Sequence, residues 1–141
     1  VSAERLYTPE VLAAAVSLAA RPLDPRFELR GTARSASCGS QLELGLLLDD
    51  AGTVSDIGIA ARACAIGQAS AAIFADGVTG KTASDIDRAR MDLAAWLVGK
   101  DAKPDWPGLD LIAPARAYPA RHGAIMLSWI AACRALGRVE A

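Results

Sequence analysis

The segment Gln41-Leu42-Glu43-Leu44-Gly45-Leu46-Leu47-Leu48 alternates so that Leu42, Leu44 and Leu46 share one face. A turn cluster follows, Asp49-Asp50-Ala51-Gly52-Thr53, and then Val54 to Ala61, with Ile57 and Ile59 on one face. A period of two is the signature of a half-buried strand. Two such runs joined by a short Asp/Gly-rich stretch read as a hairpin. Residues 27 to 36, after the turn at Asp24-Pro25, read as a third strand ahead of it. A three-stranded antiparallel meander with one apolar face needs a covering layer to be stable. The rest of the chain is helix-forming, so the expected class is α+β, with helices packed on one side of the sheet.

Four segments supply those helices. Thr8 is a good N-cap, Pro9 suits the first helical position and Glu10 complements the dipole. That helix should run to about Ala20, before Arg21-Pro22. From Cys64 to Phe74 the chain is small and apolar, which suits a buried helix, with Gly77-Val78-Thr79-Gly80-Lys81 ending it. Ser84-Asp85-Ile86-Asp87 caps the next, reaching about Val98-Gly99. A polar loop from Lys100 to Pro107 and one short helical turn from Gly108 to Ala113 lead to Pro119. There the last helix opens, carrying Ile125, Met126, Trp129, Ile130 and Leu136 at helical spacing. There is no internal repeat, and residues 1–141 read as a single domain.

Composition removes several classes of function. Net charge is -1, with no run of like charge, so the basic footprint of a nucleic-acid binder is missing. The longest apolar runs, such as Val11 to Ala20, are too short to span a bilayer. No cationic stretch is followed by the apolar run of a secretory signal. The 3 cysteines are an odd number with no Cys-x-x-Cys pair, which points to free thiols in a reducing cytoplasm and away from a sequence-local zinc knot.

The chemistry-bearing residues sit where the chain changes character. Cys38 opens Cys38-Gly39-Ser40 after a strand. Cys64 stands where the third strand gives way to a helix. His122, the only histidine, lies in Tyr118-Pro119-Ala120-Arg121-His122 at the start of the last helix. Thiolate and imidazole are ligands for soft and borderline metals, and a thiolate is also a sulfur nucleophile. The positive end of a helix dipole favours an anionic sulfur at Cys64 and a neutral, ligating imidazole at His122. Arg121 could assist an anionic sulfur or be a solvated side chain. Cys133, roughly 16 Å further along the last helix at about 1.5 Å per residue, reads as core. Gly77-x-x-Gly80-Lys81-Thr82 lacks phosphate-loop spacing and a preceding strand. Trp96, Trp106 and Trp129 read as packing, with Trp106 in the proline loop also a candidate partner contact.

The order of these pieces resembles the NifU N-terminal / IscU / SufU family of iron–sulfur cluster assembly scaffolds. The pattern is strand, Cys-Gly-x, hairpin, small-Cys-x-Ile-x-x-Ala-Ser, Gly-Lys-Thr, then Pro-Ala-Arg opening the last helix. It covers about Leu6 to Leu136, and the stretch from Gly80 to His122 is longer than in IscU and more like SufU. Three positions depart from the family. Its Cys-Gly-Asp aspartate is Ser40 here. An ungapped match puts Ala124 at its third cysteine and Gly123 at the histidine before it, with His122 one residue earlier. A divergent bacterial branch is similar, reading Cys-Gly-Ser, Ala-Cys-Ala-x-Gly-Gln-Ala-Ser and Ala-Arg-His.

The resemblance implies a SufE/NifU-like α+β fold and a metal or cluster site at Cys38, Cys64 and His122, with Cys38 and Cys64 as persulfide carriers. It implies a non-enzymatic scaffold that takes sulfur from a cysteine desulfurase, binds iron or a [2Fe–2S] cluster, and serves recipient apoproteins, without nucleic acid or membrane. Two other readings stay open. One is a zinc-binding, SufU-like sulfurtransferase. The other is a degenerate domain that keeps the fold without cluster chemistry. Three side-chain ligands fall short of the four of a protein-only cluster, so a small thiol, water or a second protomer would complete the set.

Overall fold

The computed structural model describes residues 6–138. Its elements are α1 (Pro9–Ser17) with a 3₁₀ turn (Leu18–Ala20), β1 (Leu29–Arg34), β2 (Gln41–Leu48), β3 (Val54–Arg62), α2 (Ala65–Val78), α3 (Ala83–Leu97), a 3₁₀ stretch (Leu109–Ala117) and α4 (Pro119–Ala135). The three strands form one antiparallel sheet in chain order. The class is α+β, as the alternation of leucine and isoleucine implies.

Register assigns every strand residue a face. Ala33 pairs with Leu42, Gly31 with Leu44, Leu44 with Ile59 and Leu46 with Ile57. These residues form the inner face, and all are buried. Helix α4 covers β1 and β2, with α2 and α3 packed on α4 and α1 packed on α2. Gly31 permits the closest approach: a Cβ there would stand 1.9 Å from the Ala131 carbonyl oxygen of α4. The core beyond the sheet centres on Phe74, Trp106 and Trp129, whose ring centroids lie 5.0 to 5.3 Å apart in stacked and edge-on contacts.

Local details differ from the sequence reading in three places. Helix α2 ends at Val78, inside the stretch 77–81 read as its end. Gly77 is there for packing, since its missing Cβ makes room for Trp106, whose indole nitrogen would be 2.5 Å from it. Trp106 is accordingly buried and donates to the Ile73 carbonyl at 3.0 Å, so it is core and not a partner contact. Helix α3 is capped by Thr82, two residues before Ser84. The Thr82 hydroxyl accepts from the Asp85 N–H and the Asp85 carboxylate accepts from the Thr82 N–H, a reciprocal pair. The short turn expected over 108–113 extends as 3₁₀ helix to Ala117, with Leu109, Ile112 and Ala115 buried.

Candidate functional site

Two backbone elements bring the cysteines to one end of the sheet. Gln41 pairs with Arg34 on one side and Arg62 on the other. Cys38 lies three residues before that rung, in the connection from β1 to β2. Cys64 lies two residues after it, as the N-cap of α2. The connection is tight: the Ser35 N–H donates to the Ser40 carbonyl at 2.8 Å and the Gly39 N–H to the Ser35 carbonyl at 3.0 Å. Gly39 turns the chain with φ of 72°, a left-handed conformation that favours glycine.

The first turns of α4 complete this end. Gly123 lies against the cysteine loop, where a Cβ would come within 2.5 Å of Ser35 Oγ. The Ser37 hydroxyl donates to the Ala120 carbonyl at 3.1 Å. On the next residue, Ala124 meets α2: a Cβ on Gly67 would stand 3.3 Å from Ala124 Cβ. The buried Ser70 hydroxyl donates to the Ile125 carbonyl at 2.8 Å, fastening α2 to α4. Gln68 donates to the Ala63 carbonyl at 2.9 Å and holds the approach to Cys64. The Cys38 loop and the Cys64 helix therefore rest on adjacent residues of α4, Gly123 and Ala124.

The surroundings of Cys38 are made of hydroxyls. Its sulfur lies 3.4 Å from Ser35 Oγ and 3.1 Å from Ser40 Oγ, and both serines are buried while Cys38 itself is exposed. Ser35 Oγ is in turn 3.2 Å from Ser37 Oγ. When the sulfur is anionic, hydroxyls at these positions donate to it. The Ser35 hydroxyl, then the Ser40 hydroxyl and backbone N–H, then the Arg121 cation hold the Cys38 thiol below its ordinary range. Ser40 thus offers the anionic sulfur a hydroxyl donor, which a carboxylate at this position would not. Ser35 and Ser37 were not singled out in the sequence. The signal was present in Ser35-Ala36-Ser37-Cys38-Gly39-Ser40, three hydroxyls crowded around one cysteine.

Cys64 is half-buried and makes no side-chain cap bond to α2. His122 lies in the same turn of α4 but points elsewhere. Its Nε2 is 2.9 Å from the Arg116 carbonyl oxygen, so Nε2 carries the hydrogen and donates. The ring lines a depression with Leu97, Val98, Gly99, Arg116 and Pro119, at the C-terminal end of α3. Among the described residues, no three or more His, Cys, Asp or Glu side chains gather where they could hold a metal ion. The structure places Cys38 and Cys64 at the same end of the sheet and directs His122 Nε2 to the Arg116 carbonyl. Cys133 is fully buried, as expected for core, and burial pushes its thiol up.

The geometry has counterparts among known proteins. No functionally curated protein matches the chain. A nitrogen-fixing NifU-like protein (N-terminal) from Brucella abortus is similar over 96% of this chain and 95% of its own, at 28% identity and a TM-score of 0.81. FiSufU of Fervidobacterium islandicum AW-1, assigned as an iron–sulfur cluster assembly scaffold protein for the SUF system, shares the fold. Its TM-score is 0.81, at 19% identity, over 93% of this chain and 96% of that one. The family model of the NifU-like N terminal domain matches residues 20–105, more than half of the chain and both site cysteines, and so this chain belongs to the NifU-like N-terminal domain family.

Proposed function

We propose that this protein is a scaffold of iron–sulfur cluster assembly whose working end is the thiol pair Cys38 and Cys64. The observation that carries this reading is the serine-held Cys38 sulfur at the same sheet end as Cys64, on a chain of the NifU-like family. An exposed thiol held toward thiolate is the nucleophile that sulfur transfer requires. The donor is a cysteine desulfurase carrying a persulfide. The Cys38 thiolate attacks the outer sulfur, the donor S–S bond breaks, and the donor cysteine leaves as a thiolate. The sulfane sulfur then rests on Cys38 as a persulfide, and no external oxidant or reductant is consumed.

Iron or a [2Fe–2S] cluster is the cargo in this reading, bound for recipient apoproteins. A cluster takes four protein ligands when held by protein alone. Cys38 and Cys64 supply two. His122 joins them only through Nδ1 or by leaving the Arg116 carbonyl, and the remainder comes from a small thiol or a second protomer. Free thiols suit a reducing cytoplasm.

The test is elemental analysis and intact mass of protein purified without oxygen or chelator, beside Cys38→Ser and Cys64→Ser variants. After incubation with a desulfurase and cysteine, the parent should gain the mass of one sulfur atom, removable by reductant, and Cys38→Ser should not. Iron with matching labile sulfide that depends on both cysteines supports cluster assembly on this chain. Zinc in place of iron moves the assignment to a sulfur acceptor. An unmodified, metal-free parent refutes the proposal.

A further inference from the structure

The outer face of the sheet, opposite the helices, is divided in two. At one half, Gly45 and Gly58 lie under Phe27, where added Cβ atoms would fall 2.3 Å from Phe27 Cβ and 2.7 Å from its ring. Phe27 is fully buried there, so that half is closed. The other half is an open groove of about 690 Å³. Its floor follows from the register. Arg34, Gln41 and Arg62 form one rung across the three strands, and Thr32, Glu43 and Ala60 form the next. Arg134 reaches its border from α4, donating to the Thr32 carbonyl at 2.9 Å.

The groove is cationic in a chain of net charge -1. Among the described residues, its floor carries two guanidinium groups, Arg34 and Arg62, and one carboxylate, Glu43, which already has Arg30 at 3.8 Å. Arg34 and Arg62 are exposed, and among the described residues no ion pair engages either. Arg34 is oriented by donating to Gln41 Oε1 at 2.8 Å. An exposed guanidinium held by a neutral neighbour, as Arg34 is by Gln41, is poised for a carboxylate from outside. The groove also adjoins the thiol end, since Arg34 precedes Ser35 and Arg62 stands two residues before Cys64.

We propose that this groove docks an extended acidic segment of a partner protein, laid across the strands beside the two thiols. The spacing of the charges selects the occupant. Arg34 and Arg62 sit two strand spacings apart, about 10 Å. Acidic residues two to four apart on an extended chain span about 7–13 Å and can meet both at once. Among the described residues, no aromatic side chain lines the groove to stack a base, which disfavours a single-stranded nucleic acid. The docking does not depend on the sulfur or cluster chemistry of the cysteines, because binding alone reads it out.

The test is a titration of the ¹⁵N-labelled full chain with a decapeptide bearing glutamate at every second position, followed by amide shifts. Saturable shifts are expected at Thr32, Arg34, Gln41 and Arg62. Affinity should fall severalfold when salt is raised from 0.05 to about 0.3 M, as screening shortens the reach of the charges. It should fall at least tenfold in Arg34→Gln/Arg62→Gln and persist in Arg34→Lys/Arg62→Lys, with the amide spectrum of each variant verifying its fold. Absence of binding overturns the proposal, as do shifts centred elsewhere or unaffected by the glutamine pair. Tighter binding of oligothymidylate at these residues overturns it in favour of nucleic acid. Concentration-dependent shifts there without peptide overturn it in favour of a second copy of the chain.

Discussion

Replacing Gly123 by alanine separates the packing of the site from its chemistry. The new Cβ would stand 2.5 Å from Ser35 Oγ and 3.2 Å from Ser35 Cβ. Ordinary contact begins near 3.4 Å, so the hydroxyl must retreat by roughly 0.9 Å. It can do so by turning about the Ser35 side-chain bond, which leaves the backbone in place. Crowding of this kind costs about 1–3 kcal/mol. Alanine in a helix recovers about 0.5–1 kcal/mol over glycine. The net loss is about 0–2.5 kcal/mol. With an unfolding entropy of about 2.1 cal/mol/K per residue, Tm falls by no more than about 8 °C. The chemical effect is the more telling one. The displaced hydroxyl leaves Cys38, and it is the first of the groups that hold this thiol down. The Cys38 pKa should therefore rise, and alkylation by iodoacetamide at neutral pH should slow. Peptide mass mapping across pH reads Cys38 apart from Cys64. Ser35→Ala removes the same hydroxyl without the clash and should move the profile the same way. If both variants keep the parental profile, Ser35 does not hold the thiolate and the serine cradle is refuted.

Gly31→Ala should be far more damaging, because its Cβ would meet backbone atoms, Ala131 O at 1.9 Å and Ala135 N at 2.8 Å, which cannot rotate away. A loss of about 3 kcal/mol, some 10 °C in Tm by calorimetry, is expected as α4 is pushed off β1. Thr82→Ala removes one half of the α3 capping pair and should cost about 1 kcal/mol, read from the urea midpoint. The Thr53 hydroxyl holds the Asp49 carboxyl below its usual range, and the Thr82 backbone N–H does so for Asp85. Folded pKa values below the unfolded ones give stability that is present above the ordinary carboxyl range and lost as pH falls through the folded values. Urea midpoints should accordingly drop below about pH 4, and drop less in Asp85→Asn than in the parent. In the native protein, alkylation should label Cys38 and Cys64 and spare buried Cys133 until urea unfolds the chain.

Much of the fold was legible because its signals are local. Leu42, Leu44 and Leu46 announce their face through a period of two, and Thr8-Pro9-Glu10 announces a helix start through its own hydrogen-bonding and φ preferences. Both readings hold in the structure. The stretch from Gly77 to Lys81 ends its helix as read, at Val78. What it could not show is that Gly77 makes room for Trp106, far along the chain. The site divides along the same line. Sequence alone marked Cys38 and Cys64 as the thiols at two strand ends, and their residue types and order carried the family.

The tertiary structure decided what surrounds those thiols. Ser37 meets the Ala120 carbonyl 83 residues away, and Ser35 nests against Gly123 only because α4 lies across β1. His122 is near the site in sequence pattern, yet one residue is about a 100° turn on a helix, and its ring goes to the Arg116 carbonyl. Arg34 and Arg62 are unremarkable in a chain without charge runs and come onto one rung, on either side of Gln41, through strand register. Periodicity and capping are written in adjacent residues, so a sequence determines them by itself. Which hydroxyl reaches a sulfur and which cations share a face depend on how helix and sheet dock, and that only the folded chain decides.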